Sequence, residues 1–382
     1  MRVYLDHNAT TPVREEVAAA MARVLRERFG NPSSVHAEGA AARAEVEAAR
    51  ERVAQLLGCA PREVVFTSGA TEANHTALFG VLAARGGAPG HVVASSVEHP
   101  SVEAPLAALE THGWRVTRLP VDADGRLEPE AVEAALRPDT ALVSLIWANN
   151  ETGVLLPLEE VAQRLKARGV RLHADATQRV GKLPVDLRRV PLDLVSLSAH
   201  KFGGPKGVGA LVARAGTEFE PYLKGGPQEA RRRAGTENVA GIAGLGVACE
   251  LAARELPERE REYGRLRDRL WDGIASKVPG ARRVGSAACV LPNTLNVEFP
   301  GAAGELVLQA LDLEGVAVSM GAACASGSIE PSHVLAAMGR SPEQARACLR
   351  FSVGHGVDAA GIAFALSILP DLVARARVAG EV

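Results

Sequence analysis

Between about residues 63 and 213, short apolar runs rich in β-branched residues alternate with stretches whose apolar positions recur at helical spacing. The apolar runs predict strands at 64–67, 92–95, 116–119, 141–146, 170–173, 194–198 and 209–212. Amphipathic helices are predicted at 71–84, 101–112 and 158–168. This alternation predicts an α/β layer built on a large, mainly parallel sheet. Residues 236–277 read as one long helical region, with a break or kink at Pro257, and 258–272 as its solvated, charge-rich part. After Pro279 a second α/β pattern begins: strand 295–299, helix 305–313, strand 316–319, helix 332–338, strand 350–353 and a last helix from Asp358. The expected division is a large domain of residues 15–255 and a small one of residues 1–14 and 256–382.

Ligands of such sheets bind beyond the carboxyl ends of the strands. Ser68, His99, Asn150, Asp175 and His200 all fall there. Thr67-Ser68-Gly69-Ala70-Thr71-Glu72-Ala73-Asn74 reads as a strand, a glycine turn and a helix start. Its free N–H groups and hydroxyls could cradle a lone phosphate, or form an ordinary helix cap. Neither a GxGxxG fingerprint nor a GxxxxGK[ST] loop is present. In Ser198-Ala199-His200-Lys201 a lysine follows an apolar strand directly, where desolvation lowers the pKa of an amine and lets it form a Schiff base. Lys206, in the Gly/Pro loop beyond, reads as an ordinary solvated cation. Asp175 ends the neighbouring apolar run, where a carboxylate could hold the pyridinium nitrogen of pyridoxal phosphate. His99 could stack on a planar ring and relay protons, or be a hydrogen-bonded loop histidine. Arg350, opening a strand, offers a fork for a substrate carboxylate or a structural salt bridge. Cys324 lies among small residues and glycines, a composition that predicts a mobile surface loop; a thiol there is either a nucleophile or incidental.

Composition narrows the context. A chain of 382 residues, 47% hydrophobic, supports two cores. A net charge of −2 supplies no basic stripe for nucleic acid or an anionic membrane. No run approaches the ~18 apolar residues of a membrane span, and the first residues lack a signal-peptide core, so a cytoplasmic location is expected. Five cysteines without CxxC spacing predict neither a disulfide framework nor a zinc site. Cys59, Cys249, Cys289 and Cys348 read as small buried apolar residues.

Taken in order, the motifs resemble the cysteine desulfurases of the NifS/IscS type, class V members of the fold-type I pyridoxal-phosphate enzymes. The likeness runs over nearly the whole chain: Tyr4-Leu5-Asp6-His7-Asn8-Ala9-Thr10-Thr11-Pro12, Gly30-Asn31-Pro32-Ser33-Ser34-Val35-His36, the Thr67 to Asn74 run, Glu98-His99-Pro100-Ser101, Asn149-Asn150-Glu151-Thr152-Gly153, the Asp175 and Lys201 motifs, Arg233-Ala234-Gly235-Thr236-Glu237-Asn238, the Cys324 loop with Glu330-Pro331-Ser332, and Leu349-Arg350-Phe351-Ser352. The resemblance implies a seven-stranded large domain and a small domain bearing the cysteine loop. It implies Lys201 as the Schiff-base lysine, Asp175 on the pyridine nitrogen, Gln178 on the ring hydroxyl and His99 on the ring face. Thr71, Ser198 and His200 would hold the phosphate, with the Ala70 amide nearby. Thr236 would reach the phosphate of a neighbouring subunit, which implies a homodimer. Asn150 and Arg350 would bind the substrate carboxylate, and Asn150 the cofactor as well. The implied reaction takes sulfur from L-cysteine onto Cys324 and releases alanine; the persulfide then serves a sulfur acceptor protein, such as an iron–sulfur scaffold.

Some positions depart from the family pattern. Met320 and Ala322 stand where serine is common, and Gln228-Glu229-Ala230-Arg231 replaces the usual Gln-Glu-Arg-Gly, so no role passes to Ala230 or Arg231. His355 stands where arginine is frequent. The sequence ends at Val382, without the tail by which some relatives dock a scaffold, so docking by that route is not expected. Competing readings are a class V aminotransferase, a selenocysteine lyase, or a cofactor-free sulfur-carrier partner. An aminotransferase needs no thiol, and a carrier would leave Lys201 and Asp175 idle.

Overall fold

The computed structural model describes residues 1–86, 88–321 and 332–379. Seven strands form the large sheet: β2 (Val64–Thr67), β3 (His91–Ser95), β4 (Arg115–Leu119), β5 (Thr140–Ile146), β6 (Arg171–Asp175), β7 (Leu194–Ser198) and β8 (Gly209–Ala213). Their spatial order is β2-β8-β7-β6-β5-β3-β4, with β8 antiparallel to both of its neighbours and the other pairs parallel. Alternate residues feed opposite faces, as the strand period demands. Val93, Val143, Val195 and Val212 join a core with the Ala37–Leu57, Leu158–Arg168 and Val239–Lys277 helices. Val92, Leu142, Leu194 and Leu211 pack on the other face, against Ala73, Leu78, Val102 and Leu106. Both faces are covered, which is why these strands read as unbroken apolar runs.

A second unit contains β9 (Arg282–Val284), β10 (Thr294–Glu298) and β12 (Cys348–Ser352), in the order β12-β10-β9 and antiparallel. A short pair joins β1 (Val3–Tyr4) to β11 (Val316–Ala317). Val3 and Leu5 share this unit's core with Leu295, Phe351, Ile362 and Val373.

Three expectations are corrected here. The helix does not break at Pro257: Val239–Lys277 is continuous. Its first half packs Leu245 and Cys249 into the large core and its second half packs Leu266 and Leu270 into the small one, so both flanks are held where proline removes one hydrogen bond. Glu255 adds ion pairs to Arg14 and Arg259 beside the proline. The second correction concerns the last helix, Ala359–Ala379. Its apolar stretch averages a hydropathy of 1.5, long and apolar enough to cross a membrane by composition. Here its Ile362, Ala365, Leu369 and Val373 line the small core. Thirdly, Cys289 is exposed, because its loop pairs through the backbone with Leu155 and turns the side chain outward. Cys249 and Cys348 are buried and Cys59 is partly so, and burial raises all three thiols, Cys59 and Cys348 to about 12. The amphipathic stretch 71–84 is helical from Ala70 to Ala84, with a wider π turn at Thr76–Gly80.

Candidate active site

Five strand ends lay out the site. β2 ends at Thr67, β3 leads to Glu98 and His99, β5 to Asn149 and Asn150, β6 ends at Asp175 and β7 at Ser198. β2 and β7 both run antiparallel to β8, so their carboxyl ends share one edge.

A 3₁₀ turn, Ala199–Lys201, carries the lysine off β7. The N-terminal segment lies across that turn: Thr11 donates from N and Oγ1 to His200 O, each at 2.9 Å. Lys201 Nζ donates to Asn8 O and Ala9 O, both at 2.8 Å. Burial, then the charge of Arg350, lowers this amine to about 8 from an ordinary 10.5. The competing Lys206 is exposed.

Asp175 is 3% exposed. Its Oδ1 accepts from Thr177 N at 3.0 Å and its Oδ2 from Asn74 Nδ2 at 2.8 Å. The same Asn74 nitrogen donates to Ser101 Oγ, which lies 2.8 Å from His99 Nδ1. Asp175 and His99 therefore belong to one buried chain of bonds. His99 Nδ1 also accepts from Ser101 N, capping the Pro100–Thr111 helix, so the neutral ring carries its proton on Nε2. Burial lowers the His99 pKa, which keeps the ring neutral. The cap and a ring at the sheet edge are thus compatible roles of one residue.

The turn after β2 presents Ser68 and Thr71 to solvent. A Cβ built at Gly69 would lie 3.7 Å from Ser198 Oγ, which sets that hydroxyl beside the turn. Gly209 makes the approach possible: a Cβ there would meet Leu197 O at 2.4 Å and Gly69 Cα at 2.8 Å. His200 Nδ1 is 3.1 Å from Thr10 Oγ1, and burial with Lys201 nearby lowers its pKa to about 4. At neutral pH His200 is a hydrogen-bonding group and not a cation.

Arg350, on β12, is 3% exposed. It pairs with Asp6 at 2.6 Å and donates to Asn150 O at 2.9 Å, while its buried Nε has no partner among the described residues. Gln178 Nε2 donates to Asn8 O at 2.9 Å. Thr236 is exposed and, among the described residues, bonds to none of the other predicted site residues. It follows a segment in which Glu229, Ala230 and Arg231 take positive φ, held by the buried Glu229–Arg50 pair at 2.6 Å. Cys324 lies outside the described residues.

Sequence reading assigned no role to the residues that join these groups. Asn8 is 1% exposed and bonds through every polar atom. Its N–H meets Ser352, its C=O meets Gln178 and Lys201, its Oδ1 meets Lys182 and Asn293, and its Nδ2 meets Asn150 and Thr294. Lys182, Asn74 and Glu98 were equally silent. Glu98 is buried, accepts from Ser95 Oγ at 2.5 Å and Ile146 N at 3.0 Å, and burial raises it to about 8. One signal was available: polar residues inside otherwise apolar surroundings must find partners.

The sequence matches the family Aminotransferase class-V over residues 3–363. A cysteine desulfurase of Cereibacter sphaeroides is 49% identical over 98% of this chain and 97% of its own length. The chain belongs to the cysteine desulfurase group of the class-V aminotransferases. The cysteine desulfurase IscS of Dictyoglomus turgidum is 44% identical over 98% of this chain and 95% of its own. Among solved structures, a NifS-like protein superposes with a TM-score of 0.92 at 36% identity, covering 98% of this chain and all of its own. SspA, solved in complex with cysteine, gives 0.83 at 35%, covering 92% and 99%. The fold is accordingly that of the fold-type I enzymes. Class-V aminotransferases use pyridoxal phosphate, and the site's chemistry fits that group. It combines an amine of lowered pKa, a buried carboxylate, hydroxyls around a glycine turn, and buried Thr177 Oγ1 and Arg350 Nε without partners among the described residues.

Proposed function

We propose that this chain is a pyridoxal-phosphate-dependent cysteine desulfurase that takes sulfur from L-cysteine and leaves alanine. The observation that carries the reading is the mostly buried Lys201 amine, neutral in part at physiological pH, on the same sheet edge as Asp175. The bound cofactor supplies a carbonyl for imine exchange and a ring that accepts the electron pair released at the substrate Cα. Lys201 would hold that carbonyl and would carry the Cα proton when its amine is free. Asp175 would hold the pyridine nitrogen, and Gln178 would meet the ring hydroxyl. His99 would meet the ring while its Nδ1 caps its helix. Ala70, Thr71, Ser198 and His200 would hold the phosphate through N–H and O–H groups. Arg350 and Asn150 would bind the substrate carboxylate, drawing on Arg350 Nε, which has no partner among the described residues.

Cys324 supplies the nucleophile. Its thiolate attacks the substrate sulfur, an S–S bond forms, and the Cβ–S bond breaks with its electron pair left on the carbon side. The persulfide then passes to an acceptor protein, for which an iron–sulfur scaffold is the leading class. Residues 15–255 form the cofactor domain, and residues 1–14 with 256–382 the small domain; the separate core that holds Val3 and Leu5 supports this. The working unit is a homodimer with Thr236 reaching the partner's phosphate. Exposed Leu25, Phe29 and Val35 at and just beyond the end of the Glu15–Glu27 helix supply apolar surface for it. A cytoplasmic location accords with this chemistry.

The test is Cys324→Ser in the holoenzyme. It should keep the visible absorbance of the bound cofactor and lose persulfide and alanine formation from L-cysteine. Retained desulfuration in that variant would refute the mechanism, and Lys201→Ala should lose the absorbance itself.

A further inference from the structure

Lys182 is a second lysine within the site, and the proposed reaction leaves it without a task. It is 3% exposed, and among the described residues no carboxylate offsets it; the charges acting on it are those of Lys201 and Arg350. An ammonium so placed is strongly disfavoured, and burial, then Lys201 and Arg350, drive its pKa well down. A buried amine persists only where its N–H groups are used. Lys182 Nζ donates to Gln178 Oε1 at 2.5 Å and to Asn8 Oδ1 at 3.1 Å.

Those two bonds decide which way the Gln178 carboxamide faces. A carboxamide can offer a neighbour either its oxygen or its nitrogen, and the two ends have nearly the same shape. Here the oxygen is taken by Lys182, while Asn8 O, already accepting from Lys201, requires a donor and receives Gln178 Nε2 at 2.9 Å. Reversing the amide would set its oxygen against Asn8 O and would oblige Lys182 to give up one of its two N–H donations and turn its lone pair to the amide NH₂. Among the described residues one N–H of Nε2 has no protein partner, so Gln178 keeps a donor to give.

We propose that Lys182 is a positioning residue that locks the Gln178 carboxamide so that it offers the cofactor's ring oxygen a donor and not an acceptor. This rests on the reading that Gln178 meets the ring hydroxyl. A donor at that oxygen favours its ionised form, and an acceptor favours its protonated form. Lys182 thereby sets the protonation of the bound cofactor without touching it.

The test titrates the visible absorbance of the holoenzyme across the neutral to alkaline range in wild type, Lys182→Met, Gln178→Met and the double variant. The expected result is that each single variant moves the spectroscopic midpoint up by about one pH unit or more, the tenfold change in proton affinity that one lost hydrogen bond to a charged group gives. The double variant should move it no further. A shift in Gln178→Met with none in Lys182→Met overturns the proposal and leaves the Gln178 reading intact. No shift in either overturns both, and fully additive shifts overturn the route through Gln178. If Lys182→Met does not fold, Lys182→Gln, whose amide can offer either end, should give an intermediate midpoint; a wild-type midpoint there overturns the proposal.

Discussion

The lowered pKa of Lys201 sets the rate at which the apoprotein captures its cofactor. Only the neutral amine attacks a carbonyl. With the pKa at about 8 instead of 10.5, the neutral fraction at pH 7 is about a tenth, against roughly 0.03% for an ordinary lysine. That is roughly a 300-fold gain, the antilogarithm of the 2.5-unit shift. Mixing apoprotein with pyridoxal phosphate, and dividing the observed rate by that of a simple alkylamine corrected to its neutral form, isolates the effect. The capture rate should rise tenfold per pH unit up to about 8 and then level off. Arg350→Gln removes the cation that helps to depress the amine and releases Asp6, whose charge raises it. In that variant the plateau should therefore move to higher pH. A wild-type rate that keeps climbing to the range of a free lysine, or a plateau that falls in Arg350→Gln, would show that burial and Arg350 do not control this amine.

Glu98 gives a stability signature. Its carboxyl keeps its proton in the folded state up to about pH 8 but releases it near 4.5 when unfolded, so its contribution is complete below 4.5 and is lost as pH rises toward 8. Urea titrations of wild type and Glu98→Gln should diverge across that window by about 1.4 kcal/mol per pH unit, the variant gaining relative to wild type. A pH-independent difference would refute the assignment. Gly209→Ala forces a Cβ against Leu197 O and Gly69, so it should cost about 1–3 kcal/mol by thermal melting and weaken cofactor retention by equilibrium dialysis.

The strands of the large sheet were legible to within a residue or two: the inner ones are buried on both faces, which prints apolar runs into the sequence, and the edge strand Arg115–Leu119 keeps β-branched Val116 and Thr117 between Arg115 and Arg118. β9 was missed because Arg282 and Arg283 make up most of it, and an edge strand of three residues has no pattern to read. The chain stays helical through Pro257 because packing on either side offsets a local penalty of about 3 kcal/mol, and no local pattern shows that packing. Among site residues, Lys201, Asp175 and His99 were visible because Asp175 ends a strand and the other two follow one within four residues. Asn8 and Lys182 were not: their importance lies in bonds to each other, 174 residues apart, and in Asn8's bonds to Asn293 and Ser352. No local pattern marks a partner that far along the chain.

Asn8 also fixes when the protein can become active during its own synthesis. Lys201 finds its two acceptors on Asn8 and Ala9, but Asn8 is itself held by Asn293, Thr294 and Ser352, and β1 pairs with β11. A ribosome delivers about 5–20 residues per second, and chains fold from the N-terminal side as they emerge. The large sheet can therefore assemble long before its lysine has anything to lean on. Asn8 waits for Asn293, Thr294 and Ser352, so the amine gains its supported acceptors only after residue 352 has been made.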